Sequence, residues 1–174
     1  MAPLSLETSR LQIRWLDFDD AEFIFQLVND PDWVRFIGDK DVSNLDDARN
    51  YIKTGPMEMY REHGFGLNRV ALKENDKAIG ICGILQREAL PEPDLGFAFL
   101  PEYRGHGYAL EASRAVLEYG FKCLGFHSLA AILSAQNTAS ANLASKLGFS
   151  FARTHQAEPN AEILDLYVID LIDQ

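Results

Sequence analysis

Two glycines alternate with basic and aromatic residues in the hexapeptide RGHGYA, residues 104–109, which leads directly into a long amphipathic segment. The first turn of a helix exposes unpaired backbone N–H groups at the positive end of the helix dipole. Glycines in the preceding loop let those donors come close to a ligand. The stretch therefore predicts a loop that grips a phosphate at a helix N-terminus.

Two nucleotide-binding patterns compete for this loop. A Walker A loop ends in Lys-Ser or Lys-Thr, and neither dipeptide follows these glycines, which excludes that class. A dinucleotide fingerprint needs a third glycine and, about 20 residues further on, an acidic residue that binds the ribose. Leu110 stands in place of that glycine, and residues 119–157 contain no acidic side chain. A dinucleotide is therefore disfavoured.

The elements that must position the loop follow from hydrophobic periodicity, because alternation predicts strands and a three-to-four-residue spacing predicts helices. The predicted strands are residues 10–16, 66–73, 78–86, 94–100, 128–134, 149–155 and 161–171. Four helices are predicted. The first covers residues 17–30, the third is the segment after the loop, and the fourth covers residues 138–148. The second starts at a Ser43/Asp46 capping pattern and is kinked or split at Gly55-Pro56. The order β-α-α-β-β-β-α-β-α-β-β predicts one mixed α/β domain over residues 1–174.

Composition restricts the class of protein further. The net charge of −10 disfavours nucleic acid as the main partner, since binding to its backbone needs a basic surface. No apolar run approaches the roughly 18 residues that span a bilayer, and the first ten residues do not resemble a signal peptide. We therefore expect a cytoplasmic protein with no membrane association, in which Cys82 and Cys123 are buried free thiols. The four histidines are widely spaced and predict no metal site.

The loop and a second segment together resemble a known family. RGHGYA matches the pattern [R/Q]-x-x-G-x-[G/A] at Arg104, Gly107 and Ala109, and it resembles the pyrophosphate loop of the GNAT family of acyl-CoA-dependent N-acetyltransferases. NTASANLASKLGF, residues 137–149, resembles the second CoA-binding segment of that family. LETSRLQIR and DLGFAFLPEYRGHGYALEA resemble its RimJ/RimL-like branch. The likeness extends from residue 7 to about residue 171.

This resemblance implies a fold and a cosubstrate. The implied fold is a central, mostly antiparallel sheet with helices on both faces and two splayed central strands, between which acetyl-CoA lies. The backbone of Phe97, Ala98 and Phe99 would pair with the pantetheine amides and polarise the thioester carbonyl. Asn137 would hydrogen-bond the pantetheine arm. The pyrophosphate would be held by the backbone of the loop, with the Arg104 side chain as a further contact; the loop residues are Arg104, Gly105, His106, Gly107, Tyr108 and Ala109.

The resemblance also implies catalytic roles. Many members carry a Tyr seven residues after the Asn, as the acid that protonates the CoA thiolate, but that position is Ala144 in this chain. The RimJ/RimL-like branch offers a serine three residues after the Asn, which is Ser140. Asp94 occupies the position of a carboxylate that accepts the amine proton through a water. Glu88 and Glu92, in the adjoining loop, remain alternatives for this base.

The acceptor follows least directly from the sequence. The family implies a primary amine, and the branch favours a protein N-terminal amine. Acidic residues dominate residues 17–47, which form one wall of the acceptor groove in this fold, so a cationic acceptor such as a peptide, polyamine or aminoglycoside-like amine is expected. A solvated acidic surface is the alternative explanation of these acids. The missing Tyr also keeps open an acyl-CoA-binding sensor or pseudoenzyme, and the chain is compatible with a monomer or a homodimer.

Overall fold

Eight strands form one sheet, in the order β1-β2-β3-β4-β5-β6-β8-β7, in the computed structural model, which describes residues 4–171. Neighbouring strands are antiparallel except β5 and β6. The strands are β1 Ser5–Glu7, β2 Leu11–Trp15, β3 Leu67–Leu72, β4 Ala78–Leu85, β5 Asp94–Phe99, β6 Ser128–Ser134, β7 Ser150–His155 and β8 Leu164–Asp170. The helices are α1 Ala21–Val28, α2 Pro31–Phe36, α3 Leu45–Ile52, α4 Glu58–His63, α5 Tyr108–Lys122 and α6 Thr138–Leu147.

Two hydrophobic clusters place helices on both faces of this sheet. The alternation of side chains along a strand sends successive residues to opposite faces, and β5 shows this directly. Phe97 and Phe99 pack in the cluster that includes Val116 of α5, whereas Ala98 packs against the cluster formed by α1, α2 and α3. The predicted fold class, a mixed α/β protein with a mostly antiparallel sheet between helices, is confirmed.

The sequence suggests that the first helix ends at Asp30-Pro31. In the structure the same dipeptide also begins another helix. The Asp30 side chain accepts hydrogen bonds from the backbone N–H groups of Asp32 and Trp33 and so caps α2. Pro31 occupies the first turn, where its missing N–H costs nothing. The short helix that results, α2, was missing from the predicted element order.

The next helix also starts differently from the prediction. Asn44, not Ser43, is its N-cap, and its side chain accepts from the N–H of Asp47 while Asp47 accepts from Ser43. The Gly55-Pro56 dipeptide lies in a π-helical turn, Lys53–Met57, that joins α3 to α4. The wider turn accommodates a proline, which cannot donate a helical hydrogen bond. The predicted kink or split at this dipeptide is therefore a π turn.

The two central parallel strands separate almost at once. Asp94 and Ala130 are the one paired position between β5 and β6 in the described residues, and Ala130 also donates to the carbonyl of Pro93 at 2.9 Å. Beyond that point the edge of β5 that faces β6 has no strand partner. The result is a wedge that opens towards the C-terminal ends of both strands, which confirms the predicted splay.

Candidate active site

The glycine loop presents free backbone donors at the open end of the wedge. Gly105 and Gly107 have φ angles of 77° and 80°, a left-handed conformation that glycine adopts without strain. Gly107 is the N-cap of α5 and offers no side chain to the first turn. The first loop–helix backbone bond is donated by Glu111 to Gly107, so the N–H groups of residues 105–110 have no acceptor within the described part of the chain. This cradle fits a pyrophosphate.

The Arg104 side chain points away from this cradle. Its Nη2 donates to Asp30 Oδ1 at 2.6 Å and its Nη1 to Asp32 Oδ2 at 2.5 Å. Its Nε donates to the carbonyl of Phe99 at 2.9 Å. The backbone N–H of Arg104 is also engaged, by the carbonyl of Pro101. The structure therefore shows the guanidinium bound to the turn between α1 and α2, whereas the sequence had predicted a phosphate contact.

A different arginine braces the loop. Arg10 donates through Nη1 to the carbonyl of His106 at 3.0 Å, and its guanidinium lies 4.4 Å above the ring of Tyr108. Its other nitrogens bind Glu111, which also accepts from the hydroxyl of Thr8 at 2.6 Å. Glu111 and Arg10 thus form a salt bridge that joins α5 to the segment before β2.

The pKa of Glu111 reflects this environment. Burial raises the pKa of the carboxyl, but hydrogen bonds from Thr8, from Arg10 and from Ser9 outweigh it and lower the pKa from 4.5 to about 2. The carboxylate is thus ionised at any ordinary pH and holds Arg10 against the loop. The loop also contains a stacked pair of rings, His106 and Tyr108, whose centroids lie 5.9 Å apart. His106 Nδ1 lies 2.8 Å from the carbonyl oxygen of Arg104.

The wedge is bordered on one side by the backbone of Phe97, Ala98 and Phe99. These residues pair with Cys82, Ile81 and Gly80 of β4 along their other edge. Their side chains pack in the two hydrophobic clusters. Leu100 donates to Ile79 beside β4, so alternation along β5 directs the backbone groups of Ala98 towards β4 and those of Phe97 and Phe99 towards β6. This position suits the predicted backbone contact with an extended amide-containing chain.

The second sequence motif begins on the other side of the wedge, where β6 ends. Asn137 is the N-cap of α6, and its Oδ1 accepts from the N–H of Ser140 at 3.1 Å. The carboxamide nitrogen of Asn137 has no acceptor among residues 4–171 and is the group left to bind a ligand. The half-buried Ser140 hydroxyl likewise has no hydrogen-bond partner there.

Asp94 lies at the closed end of the wedge. Its side chain is only 2% exposed, and its Oδ1 accepts from Arg87 Nε at 2.8 Å. Burial raises the pKa of this carboxyl, while the charge and the hydrogen bond of Arg87 lower it, with a net rise. Ser134, at the open end, lies four residue steps along β6 from its partner Ala130, about 13 Å at strand spacing. Asp94 and Ser140 therefore lie at opposite ends of the wedge.

Sequence reasoning missed a second carboxylate near the wedge. Ser134 ends β6 and is 8% exposed, and its hydroxyl donates to Glu162 Oε1 at 2.9 Å. Glu162 itself is exposed and forms no salt bridge within residues 4–171. The pairing joins residues 28 positions apart, and no local pattern in the sequence signals it.

Most acidic side chains of residues 17–47 bind an arginine or a backbone N–H group. Asp20 binds Arg14 and Arg69, and Asp47 accepts from the backbone N–H of Ser43 and the side-chain amide of Asn44. Two further aspartates of the segment bind Arg104. Its acids without an ion pair or capping bond in the described chain are Asp19, Glu22, Asp39 and Asp41. Much of the acidic composition is therefore structural, which weakens the inference from composition to a cationic acceptor.

Other features of the sequence can be located as well. Cys82 is buried, and burial raises the pKa of its thiol to about 12 despite the hydrogen bond of Ser113. Cys123 is exposed, so the expectation of two buried thiols is wrong for Cys123.

Within residues 4–171, no group of three or more His, Cys, Asp or Glu side chains is arranged to hold a metal ion. No helix in that range has the length and apolarity to cross a membrane.

Comparisons with known proteins agree with this geometry. The sequence profile of the family described as "Acetyltransferase (GNAT) domain" matches residues 10–150. The uncharacterized protein YkkB of Bacillus subtilis is 32% identical over 158 residues, 88% of this chain and 89% of its own length. The uncharacterized N-acetyltransferase YoaA of the same organism is 31% identical over 146 residues, 83% of this chain and 81% of its own length.

Solved structures share the fold at lower identity. A putative ribosomal-protein-serine acetyltransferase from Vibrio cholerae superposes with a TM-score of 0.80 at 19% identity, covering 98% of this chain and 100% of that one. The Microcin C7 self-immunity acetyltransferase MccE, solved in complex with acetyl-CoA and AMP, gives a TM-score of 0.78 at 14% identity, with 94% of both chains covered.

Proposed function

Because the chain belongs to the GNAT acetyltransferase family, and is therefore an acyltransferase, we propose that it moves the acetyl group of acetyl-CoA directly to a primary amine. The observation that carries this proposal is the loop of free N–H donors, residues 105–110, at the open end of the wedge between β5 and β6. An anion-binding helix terminus next to an unpaired strand edge suits a pyrophosphate joined to an extended amide chain.

Different residues of this chain bind different parts of acetyl-CoA. The backbone N–H groups of residues 105–110 hold the pyrophosphate, and the free edge of Phe97–Phe99 aligns the pantetheine amides. The Asn137 carboxamide nitrogen donates to the pantetheine arm from the other side of the wedge. When bound, acetyl-CoA supplies an activated thioester. The N–H groups of Phe97 and Phe99, which point towards β6, would stabilise the negative charge that develops on its carbonyl oxygen, which is where fixed dipoles lower a barrier most.

Proton transfer completes the proposed reaction. The amine nitrogen forms the new C–N bond while the C–S bond breaks. The amine proton passes to Asp94 along a chain of waters, because Asp94 lies at the opposite end of the wedge from Ser140; its raised pKa brings it closer to that of an effective base. The Ser140 hydroxyl, which has no hydrogen-bond partner within residues 4–171, passes a proton to the leaving thiolate and takes one back from solvent, while Asp94 releases the amine proton to solvent. Glu162 is the second candidate for the base, because it is exposed and lacks a cationic partner in the described chain.

We propose a protein or peptide N-terminal amine as the acceptor, within the RimJ/RimL-like branch and in the cytoplasm. Support comes from the motifs of that branch in residues 7–15 and 94–112 and from the shared fold with a putative ribosomal-protein-serine acetyltransferase. The acids of the N-terminal segment that lack an ion pair, together with Glu162, add negative potential that favours a cationic acceptor. A polyamine or another small cationic amine is the alternative acceptor of the same chemistry.

Release of free thiol from acetyl-CoA tests the proposal. Purified protein is mixed with acetyl-CoA and a panel of N-terminal peptides, polyamines and aminoglycosides, and CoA thiol is followed with a chromogenic disulfide. We expect release that depends on one class of amine and an acetylated product with a mass increase of one acetyl group. Binding of acetyl-CoA in calorimetry without thiol release for any amine would instead identify an acyl-CoA sensor.

A further inference from the structure

Arg104 is the first residue of the loop motif, but its side chain binds the turn between α1 and α2 and the end of β5. All three of its guanidinium nitrogens donate to groups outside the loop: Asp30, Asp32 and the carbonyl of Phe99. The positive charge is thus balanced by two carboxylates at 2.6 Å and 2.5 Å. A guanidinium held in this way adds little net positive potential at a phosphate in the loop.

Asp30 receives this guanidinium at a structurally sensitive position. It is 8% exposed, and the same oxygen that binds Arg104, Oδ1, accepts from the N–H groups of Asp32 and Trp33. One carboxylate therefore caps α2 and ties it to residue 104. A buried charge with a single strong partner loses its compensation when that partner is removed.

The helix that Asp30 caps belongs to the α1–α3 face of the sheet. Trp33 of α2 is buried in the same hydrophobic cluster as Leu100, and its ring meets that of Tyr51 edge-on at 6.5 Å between centroids. Leu100 lies between β5 and the loop. Arg104 thus joins three parts of the site: the end of β5, the start of the loop, and the turn between α1 and α2.

We propose that Arg104 is a positioning residue for the acceptor side of the site, acting through Asp30, and not a ligand of the CoA phosphates. The α1–α2 turn, held against residues 99–104, keeps a fixed distance from the thioester-binding edge of β5. This inference rests on the proposed acetyl transfer, with residues 17–47 bordering the acceptor as the family resemblance implies, and it names Arg104 as the residue that fixes these elements relative to the cosubstrate.

The test uses the full chain, two acetyl donors and matched amide variants. Asp30→Asn removes the charge but keeps a good N-cap for α2, and Arg104→Gln removes the guanidinium. The double variant Asp30→Asn/Arg104→Gln leaves no buried uncompensated charge, because the remaining carboxylate, Asp32, is exposed, so we expect it to fold even if a single variant does not. The donors are acetyl-CoA and S-acetylpantetheine, which lacks the pyrophosphate. The acceptor is the amine that gives the fastest thiol release with the unaltered protein.

We expect Arg104→Gln to raise the acceptor KM by about tenfold, the scale of a small misplacement of substrate, and by the same factor with both donors. Asp30→Asn should reproduce this rise, and the double variant should be no worse than either single one. The Kd of CoA, measured by calorimetry, should change by less than about threefold. Asp32→Asn, which removes the more exposed partner, should have the smaller effect.

Two results would overturn the proposal. If Arg104→Gln weakened CoA binding tenfold, and its kinetic defect vanished with S-acetylpantetheine, the arginine would be a phosphate ligand. Hydrogen exchange gives a readout that needs no turnover: the α2 amides, residues 31–36, should exchange faster in Arg104→Gln, and unchanged exchange would contradict the link to α2. If the unaltered protein released no thiol with any amine, the proposed acetyl transfer would fail while the exchange result still stood.

Discussion

Glu111 holds Arg10 against the loop, and replacing it with Gln should cost measurable stability. The pKa of Glu111 falls from 4.5 to about 2 in the folded chain. At about 1.4 kcal/mol per pKa unit, this shift corresponds to at most about 3 kcal/mol of stability at neutral pH. Arg10 is 46% exposed, and solvent screens such a pair, so we expect a loss of about 1–2 kcal/mol for Glu111→Gln.

The pH dependence of this loss separates charge from packing. A carboxyl with a depressed folded-state pKa stabilises the fold above its unfolded pKa of 4.5, and that stability disappears as the pH falls towards about 2. Between pH 7 and pH 3.5 the difference between the two proteins should therefore shrink by about 1 kcal/mol. Urea unfolding followed by circular dichroism at pH 7, 5 and 3.5 measures this difference directly.

A second carboxylate of α5 provides the control. Glu118 pairs with Lys122 one turn away, but both side chains are well exposed, at 63% and 73%. Glu118→Gln should therefore unfold at the same urea concentration as the unaltered protein at pH 7. A Glu111→Gln difference that stayed constant from pH 7 to pH 3.5, or that was no larger than that of Glu118→Gln, would refute the assignment of Glu111 as an ionised anchor of the loop.

Three further changes test the proposed chemistry and the loop. Ser140→Ala should lower kcat by about 10²-fold, the low end for a general acid, with an unchanged Kd for CoA; an unchanged kcat would remove this assignment. Asp94→Asn should abolish the fall of kcat/KM at low pH. Because burial raises the pKa of Asp94, this fall should occur above the ordinary aspartate value of 3.8. If Glu162→Gln abolishes the fall instead, Glu162 is the base. Gly107→Ala, at φ 80°, should cost about 1–2 kcal/mol in urea unfolding and weaken CoA binding in calorimetry.

The sequence predicts those parts of the site that depend on local pattern. The strand before the loop, the glycines with left-handed backbone, and the helix after them all follow from residue spacing within 94–122, and the structure shows each of them. The N-cap bond of Asn137 is equally short-range, since its donor Ser140 is three residues away, but the sequence had indicated Asn137 only as a ligand of the pantetheine arm. Short-range geometry of this type is constrained by backbone chemistry alone.

Partners that are distant in sequence could not be predicted in this way. Arg104 binds aspartates 72 and 74 positions away, and Ser134 finds Glu162 only because β6 and β8 pair. A motif assigns a residue type to a position, but the direction of a long side chain is decided by whichever carboxylate the fold brings near. For this reason the sequence places Arg104 in the loop but does not reveal the two aspartates that its guanidinium binds.

The charges around the loop show how a chain with a net charge of −10 can present a site for an anion. Two arginines lie beside residues 105–110, and each is matched by its own carboxylates: Arg10 by Glu111, and Arg104 by Asp30 and Asp32. Neither therefore offers a free positive charge. The attraction that remains comes from backbone N–H dipoles held in a fixed direction by the glycine conformations and by α5. The arginines make this cradle rigid, and the backbone makes it positive.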